Sequence, residues 1–291
     1  MAGIDINRTT QGVYLPPAVS GEIWADAQEQ SIIMQLARQI AIPGRGVTIP
    51  IITGDPEAQW VAETDEKPVS RGTLGNKTLT PYKLAVIEPF SMEFRRDLPT
   101  LYAALRNRLA GAIARTFDET VLFGPAPGTG FDTLASVPVV DLSAGFYDGL
   151  VQAIVDVSEA NGDLSAWVFN GSGEGLALQA LDGNGRPLFI NNLQSEGRSI
   201  GSLLGRPAFK SRHVSDGAGT VGFAGDWTSA MYGMVTGISI SESDQATLTD
   251  SDGTVLNLWQ RNMFAIRAEV EIGFAVRDAD RFVRLTGAAG S

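Results

Sequence analysis

The sequence predicts an α+β fold, on three observations. Residues 98–123 hold one long helical pattern with leucine, isoleucine and phenylalanine at four-residue steps. Residues 232–287 read as successive strands with no helix between them, and residues 125–227 mix short apolar runs with two more helical stretches. The chain has 291 residues, of which 44% are apolar and 19% charged, so it can fill a sizeable core and is not wholly disordered.

The elements follow in order. Residues 1–20 are polar, punctuated by glycine and closed by Pro16-Pro17, which predicts an extended arm. From Ser20 to Ile40, apolar residues at three- and four-residue steps predict a helix that Pro43-Gly44 stops. Residues 47–52 (VTIPII) predict a strand, and Gly54-Asp55-Pro56 a turn.

Residues 59–83 carry Lys67, Arg71, Lys77 and Lys83 among acids, but few large apolar side chains: Trp60, Val61, Leu74, Leu79 and Tyr82. A long hairpin of this composition cannot build its own core, so it packs on the body or on another chain. Residues 83–94 resume strand character.

In the long helix, Leu101, Leu105, Leu109, Ile113 and Phe117 form the apolar line, with Arg106, Arg108, Arg115, Asp118 and Glu119 off it. At 1.5 Å per residue its core of roughly 24 residues spans about 36 Å. Asp97, Pro99 and Thr100 start it, Gly124-Pro125 ends it, and residues 125–135 form a loop.

A second helix is expected over 145–160, a buried strand over 166–170 (AWVFN), and a helix growing out of glycines over 171–180. Short strands are expected at 188–190, 202–211, 220–227, 232–243, 254–276 and 281–287. No fixed-period repeat is present.

Composition narrows the chemistry. The formal charge is −11, which disfavours free nucleic-acid binding as the main activity. There is no cysteine, so disulfides and thiolate metal sites are excluded; a single histidine, His213, excludes any site needing two imidazoles. No run of 18 apolar residues predicts a membrane span, and no basic n-region with an apolar run predicts a secretory signal, so a soluble protein of a cytoplasm-like compartment is expected.

Each candidate site has a plainer explanation. Gly171-Ser172-Gly173-Glu174-Gly175 follows a strand and opens a helix, as a dinucleotide loop does. Its spacing is G-x-G-x-G, Leu176 stands where a small residue is required, and no acid is clearly placed about twenty residues on.

Gly124–Gly130 follows a helix and lacks the lysine of a phosphate loop. Asp182–Gly185 and Asp250–Gly253 lack the ligand series of a calcium loop and read as turns. His213 lacks a G-x-S-x-G partner and reads as a surface or turn residue. Residues 214–260 hold six acids and no Lys or Arg, a solvated acidic face. No catalytic, cofactor or metal site is expected.

The order of motifs resembles, over nearly the whole chain, the major capsid protein of tailed bacteriophages (Caudoviricetes) with the Hong Kong 97-type fold. AQWVAETDEKPVS (58–70) is similar to that family's hairpin, and LTPYKLAVIEPFSMEFRRD (79–97) to the strand leaving it. LRNRLAGAIARTFDETVLFG (105–124) is similar to its spine helix. AWVFN followed by a helix and LLGRPAFKS (203–211) is similar to the central domain. GDWTSAMYGMVTGISISES (225–243) and MFAIRAEVEIGFAVRDADRFVRL (263–285) are similar to the closing segment.

The resemblance implies an arm and helix over 1–44 and an extended hairpin loop over 45–83. It implies a peripheral domain over 84–124 and 237–272 with spine helix 98–123, and an axial domain over 125–236 and 273–291. It further implies that Trp60, Val61, Glu63, Lys67, Arg71 and Lys77 face a neighbouring subunit, and that Leu101, Leu105, Leu109, Ile113 and Phe117 form the core of the spine helix.

The implied function is self-assembly through pentamers and hexamers into an icosahedral virion shell. The shell is built in the host cytoplasm and encloses double-stranded DNA without sequence-specific binding. Separate scaffolding, portal and decoration proteins are the implied partners, with no membrane and no cofactor. Because the chain reaches the arm directly from Met1, any scaffold is expected to be a separate protein. Lys67 and Lys77 are the lysines a hairpin cross-link would use, but no partner asparagine or glutamate matches, so none is expected. An encapsulin-type compartment shell and an NAD- or nucleotide-binding enzyme using Gly171–Gly175 are the alternatives.

Overall fold

A computed structural model describes Ala27 and residues 31–54, 58–63, 66–71, 73–92, 98–181, 186, 189, 199–249 and 252–287. The described chain opens with a short helix, α1 (Ile32–Leu36). The helix expected to reach Ile40 ends at Leu36. Ala37 is extended, and Arg38–Ala41 form strand β1, where a parallel ladder with Met231–Met234 takes up their backbone groups in place of a further helical turn. The rest of that expected helix, and the arm, lie outside the described residues.

Strands β2 (Val47–Gly54) and β3 (Thr73–Leu79) pair antiparallel into a hairpin, followed by β4 (Tyr82–Ser91). The long helix α2 spans Leu98–Phe123, as its apolar line predicts. Then come β5 (Val139–Asp141), α3 (Phe146–Glu159), β6 (Ala166–Phe169) and α4 (Gly171–Gln179).

The segment 202–211, expected as one strand, is a hairpin of β7 (Ser199–Leu203) and β8 (Arg206–Lys210). Leu204 and Gly205 form its turn, both at positive φ. Of 188–190, only Phe189 lies inside the described residues, and it is not in a strand.

Strand β9 (Thr220–Gly225) is followed by β10 (Ala230–Met234) and β11 (Ser239–Ser243), which divide the single strand expected over 232–243. A small hairpin of β12 (Thr247–Thr249) and β13 (Val255–Asn257) precedes the long β14 (Met263–Val276) and the final β15 (Phe282–Thr286).

Two sheets organise these strands. In the five-stranded sheet β14 is central. One edge takes β10 near its end and β11 nearer its start, and the other takes β4 through ten register pairs from Met263↔Ser91 to Ile272↔Tyr82. Strand β1 lies outside β10. Ala230–Met234, grouped by sequence with the axial segment, is hydrogen-bonded into this sheet. The second sheet has the order β5-β15-β9-β6-β8-β7.

The central strands β6 and β9 of the six-stranded sheet are buried on both faces. Ala166, Val168, Phe223 and Phe282 join a core with α1, α2 and the five-stranded sheet, whereas Trp167, Phe169, Val283 and Leu285 join a second core with α3 and α4. Burial on both faces explains why AWVF and TVGFAG read as continuous apolar runs rather than alternating ones.

Helix α2 contributes Leu109, Ile113, Phe117, Val121 and Leu122 to the first core. Phe117 meets Tyr232 and Phe274 edge-on at 6.4 and 6.3 Å, and Phe123 meets Phe223 at 5.6 Å.

Two short connections join the sheets. Residues 226–229 carry β9 into β10, and residues 277–281 carry β14 into β15. Asp226 N donates to Arg281 O at 3.0 Å and Arg277 N to Ser229 O at 3.1 Å. Trp227, only 1% exposed, wedges edge-on against Phe282 at 5.2 Å.

Candidate functional site: the projecting hairpin and its root

The β2–β3 ladder runs in register from Val47↔Leu79 to Ile52↔Leu74. Its side chains make a core only at the root. There Leu79 is fully buried with Ile42 and Ala275, backed by Ile40, Val47 and Met231. Beyond the root and the Lys77 contact given below, the large apolar side chains described on the outer hairpin stand open. Trp60 has 104% of its reference accessible area, Val69 86% and Leu74 75%. The described residues between the strands, 58–63 and 66–71, are all exposed and take no strand or helix conformation. An uncovered indole at the end of a two-stranded ladder is a costly arrangement for a chain alone in water.

The residues expected to face a neighbour fall into two groups. Trp60, Val61, Glu63, Lys67 and Arg71 are exposed on the outer part of the hairpin. Lys77 turns inward instead, its Nζ 2.8 Å from Asp132 Oδ2 in the loop after α2.

The root is held by further bonds to that loop. Thr80 N donates to Gly130 O at 2.9 Å, and the Tyr82 hydroxyl donates to Thr129 O at 2.8 Å. The chains approach so closely that a Cβ on Gly130 would stand 2.5 Å from Thr80 Oγ1, and one on Gly273 would stand 2.7 Å from Thr80 O.

Of the spine-helix line, Leu109, Ile113 and Phe117 are buried. The side chains of Leu101 and Leu105 lie outside the described residues, although their backbone is helical.

One polar centre is absent from the sequence expectations. Asp118, placed off the apolar line, is completely buried. Its Oδ1 accepts from the Ser31 hydroxyl at 2.5 Å and its Oδ2 from Ile32 N at 3.1 Å. His213 Nδ1 lies 2.8 Å from Oδ2. Ser31 also caps α1, its Oγ accepting from Met34 N at 3.1 Å.

Asp118 thus ties the start of α1, the long helix and the turn at His213 together. That turn was expected, but an imidazole partnered with a carboxylate on a helix 95 residues away was not. Four-residue spacing gave no warning, because Asp118 follows Phe117 directly and the buried arc of α2 is wide enough to take both.

The other candidates resolve into local structure. Asn170 caps α4, its Oδ1 accepting from Gly173 N at 2.9 Å, and a Cβ on Gly173 would stand 2.4 Å from Val221 O. Gly173 therefore has a packing explanation, whereas a Cβ on Gly171 or Gly175 would meet nothing within 4 Å. The exposed Asp252 carboxyl is held below the usual carboxylate range by the Thr254 backbone N–H, 2.8 Å away, and then by its hydroxyl. Asp182–Gly185 and Asp250 lie outside the described residues. Among the described residues no three His, Asp or Glu gather as a metal site would require.

A subunit with two packed sheets, a long helix with one buried face and a hairpin whose described outer residues stand exposed is a shell-building subunit with the Hong Kong 97-type fold. Residues 11–287 match the phage capsid family, and the chain belongs to it.

The chain is 34% identical over 288 residues to the "Probable major capsid protein gp17" of Mycobacterium phage D29, covering 94% of this chain and 90% of that one. A solved structure from Gordonia phage Cozz superposes with a TM-score of 0.72 at 27% identity, covering 90% of this chain and 88% of that one. One from Mycobacterium phage Adephagia gives 0.72 at 19% identity, covering 90% and 91%, and speaks for the fold alone. The function is that of a phage major capsid protein, a structural component of the virion. Neither the compartment-shell nor the nucleotide-enzyme alternative is favoured by these matches.

Proposed function

We propose that copies of this chain join through heterologous contacts into pentamers and hexamers, and that these close as an icosahedral shell around double-stranded DNA. The hairpin supports this reading: Trp60, Val69 and Leu74 stand exposed among the described residues, and a neighbouring copy would cover them. In this proposal Trp60, Val61, Glu63, Lys67 and Arg71 meet the neighbour, the apolar residues through burial and the charged ones by setting register.

The hairpin loop is 45–83, the peripheral unit 84–124 with 237–272, and the axial unit 125–236 with 273–291, except that β10 hydrogen-bonds within the peripheral sheet. The subunit acts by assembly rather than catalysis, in the host cytoplasm. It works with separate scaffolding, portal and decoration proteins. With a formal charge of −11 it contains nucleic acid without gripping it in sequence-specific fashion.

Sedimentation and negative-stain imaging of the purified full-length chain test this. Closed particles, or rings of five and six, are the expected products. A monomer that persists across concentration and salt, with the Trp60 region shielded from solvent, overturns the proposal.

A further inference from the structure

We propose that Asp132 is a positioning residue for assembly, one that sets the direction in which the hairpin leaves the subunit. The proposal rests on reading the hairpin as the arm that meets a neighbouring copy. A rigid arm serves a closed shell only if its angle is defined. The seven residues of β3 at about 3.3 Å each carry it roughly 23 Å from its root, so a tilt of about 10° moves the far end by about 4 Å. That is the width of a side-chain contact.

The contacts at Leu79, at Thr80 and, on the paired strand, at Val47 all lie at the base of the hairpin, where they constrain its angle least. Leu79 is buried, and Thr80 is bonded to Gly130 and enclosed by Gly130 and Gly273, but both residues sit at the very end of the strand. A direction needs a second contact further out, and Lys77 supplies one.

Its ammonium meets Asp132 Oδ2 at 2.8 Å. That same oxygen accepts from Val276 N at 3.0 Å, and Asp132 N donates to Phe274 O at 3.0 Å. Asp132 is therefore fastened twice to the end of β14, in the central strand of the sheet, and reaches the hairpin with its remaining capacity. The two side chains are 32% and 27% exposed, so the pair is shielded more than an ordinary surface ion pair.

The absence of cysteine allows a direct measurement. Spin labels are attached at Val69→Cys on the exposed outer hairpin and Thr116→Cys on the exposed side of α2, in the full-length chain. Electron-electron double resonance then reads the distance between hairpin and body.

One narrow distribution is expected in the parent, a distribution at least twice as broad with Lys77→Met added, and recovery with Lys77→Arg. Asp132→Asn is the second variant; it keeps an oxygen for Val276 N–H while removing the charge, and it should also broaden the distribution. Unchanged distributions in both Lys77→Met and Asp132→Asn overturn the proposal. Loss of folding in both, judged by circular dichroism, also overturns it, since the pair would then be structural only. If the unlabelled chain never assembles yet Lys77→Met broadens the distribution in the labelled one, the positioning role stands and the shell reading falls. If the unlabelled chain assembles and the labelled variants are unchanged, the reverse holds.

Discussion

Asp118 shows what one residue can decide. A carboxyl group with no solvent exposure is accommodated because each oxygen has a hydrogen-bond partner, in the Ser31 hydroxyl, the backbone of α1 and His213. Removing it strands at least three buried donors. Asp118→Ala should therefore destabilise the subunit by about 3 kcal/mol, and Asp118→Asn by less, since the amide keeps the shape and one acceptor. Chemical denaturation of the unassembled chain measures the difference, and equal losses in the two variants would contradict the assigned hydrogen bonds. None of this could be read from the local sequence. The partners of Asp118 lie 87 and 95 residues away, and a charged residue beside an apolar line reads as solvent-facing until tertiary contacts are known.

At the scale of elements, sequence patterns performed well where one physical term dominates. The long helix has its predicted bounds because a four-residue apolar line over about four and a half turns leaves no competing conformation. Strands β6, β9 and β15 of the six-stranded sheet were legible as apolar runs, whereas β5 was not. Failures fall where tertiary pairing competes with local preference. Arg38–Ala41 carry a helical period yet join β10, and residues 202–211 hide a turn at Leu204-Gly205 that needs positive φ from a leucine.

The hairpin is the most informative element. It was legible as one that could not cover itself, but the inward turn of Lys77 was not, since its partner Asp132 lies 55 residues on. Trp60→Ala should leave the melting temperature of the unassembled subunit within about 1 °C, because the indole touches no core. It should lower the yield of particles severalfold by sedimentation. Leu109→Ala should do the opposite first, costing the subunit itself about 2–5 kcal/mol from a fully packed position. If Trp60→Ala unfolds the subunit and leaves assembly of the folded fraction untouched, the hairpin is not an assembly arm.

For the whole molecule, the issue is what joins copies and what does not. Burial and polar contacts at the hairpin are the expected adhesive. Denaturing electrophoresis of assembled particles should give a single band at the subunit mass of 30.9 kDa. A ladder of covalent oligomers would show that Lys67, or Lys77 freed from Asp132, has found a partner on another copy. Titration calorimetry with NAD and with ATP should give no heat of binding, and micromolar affinity for either would revive a role for Gly171–Gly175 beyond capping and packing.

The paired crossings between the sheets carry a mechanical implication. Two strands pass from one sheet to the other side by side, cross-bonded at Asp226, Ser229, Arg277 and Arg281, with Trp227 jammed beneath them. A subunit braced in this way transmits load as a single stiff plate. Any rearrangement between assembled copies is then expected at the contacts between them and at the hairpin's root, while the inside of each subunit keeps its shape.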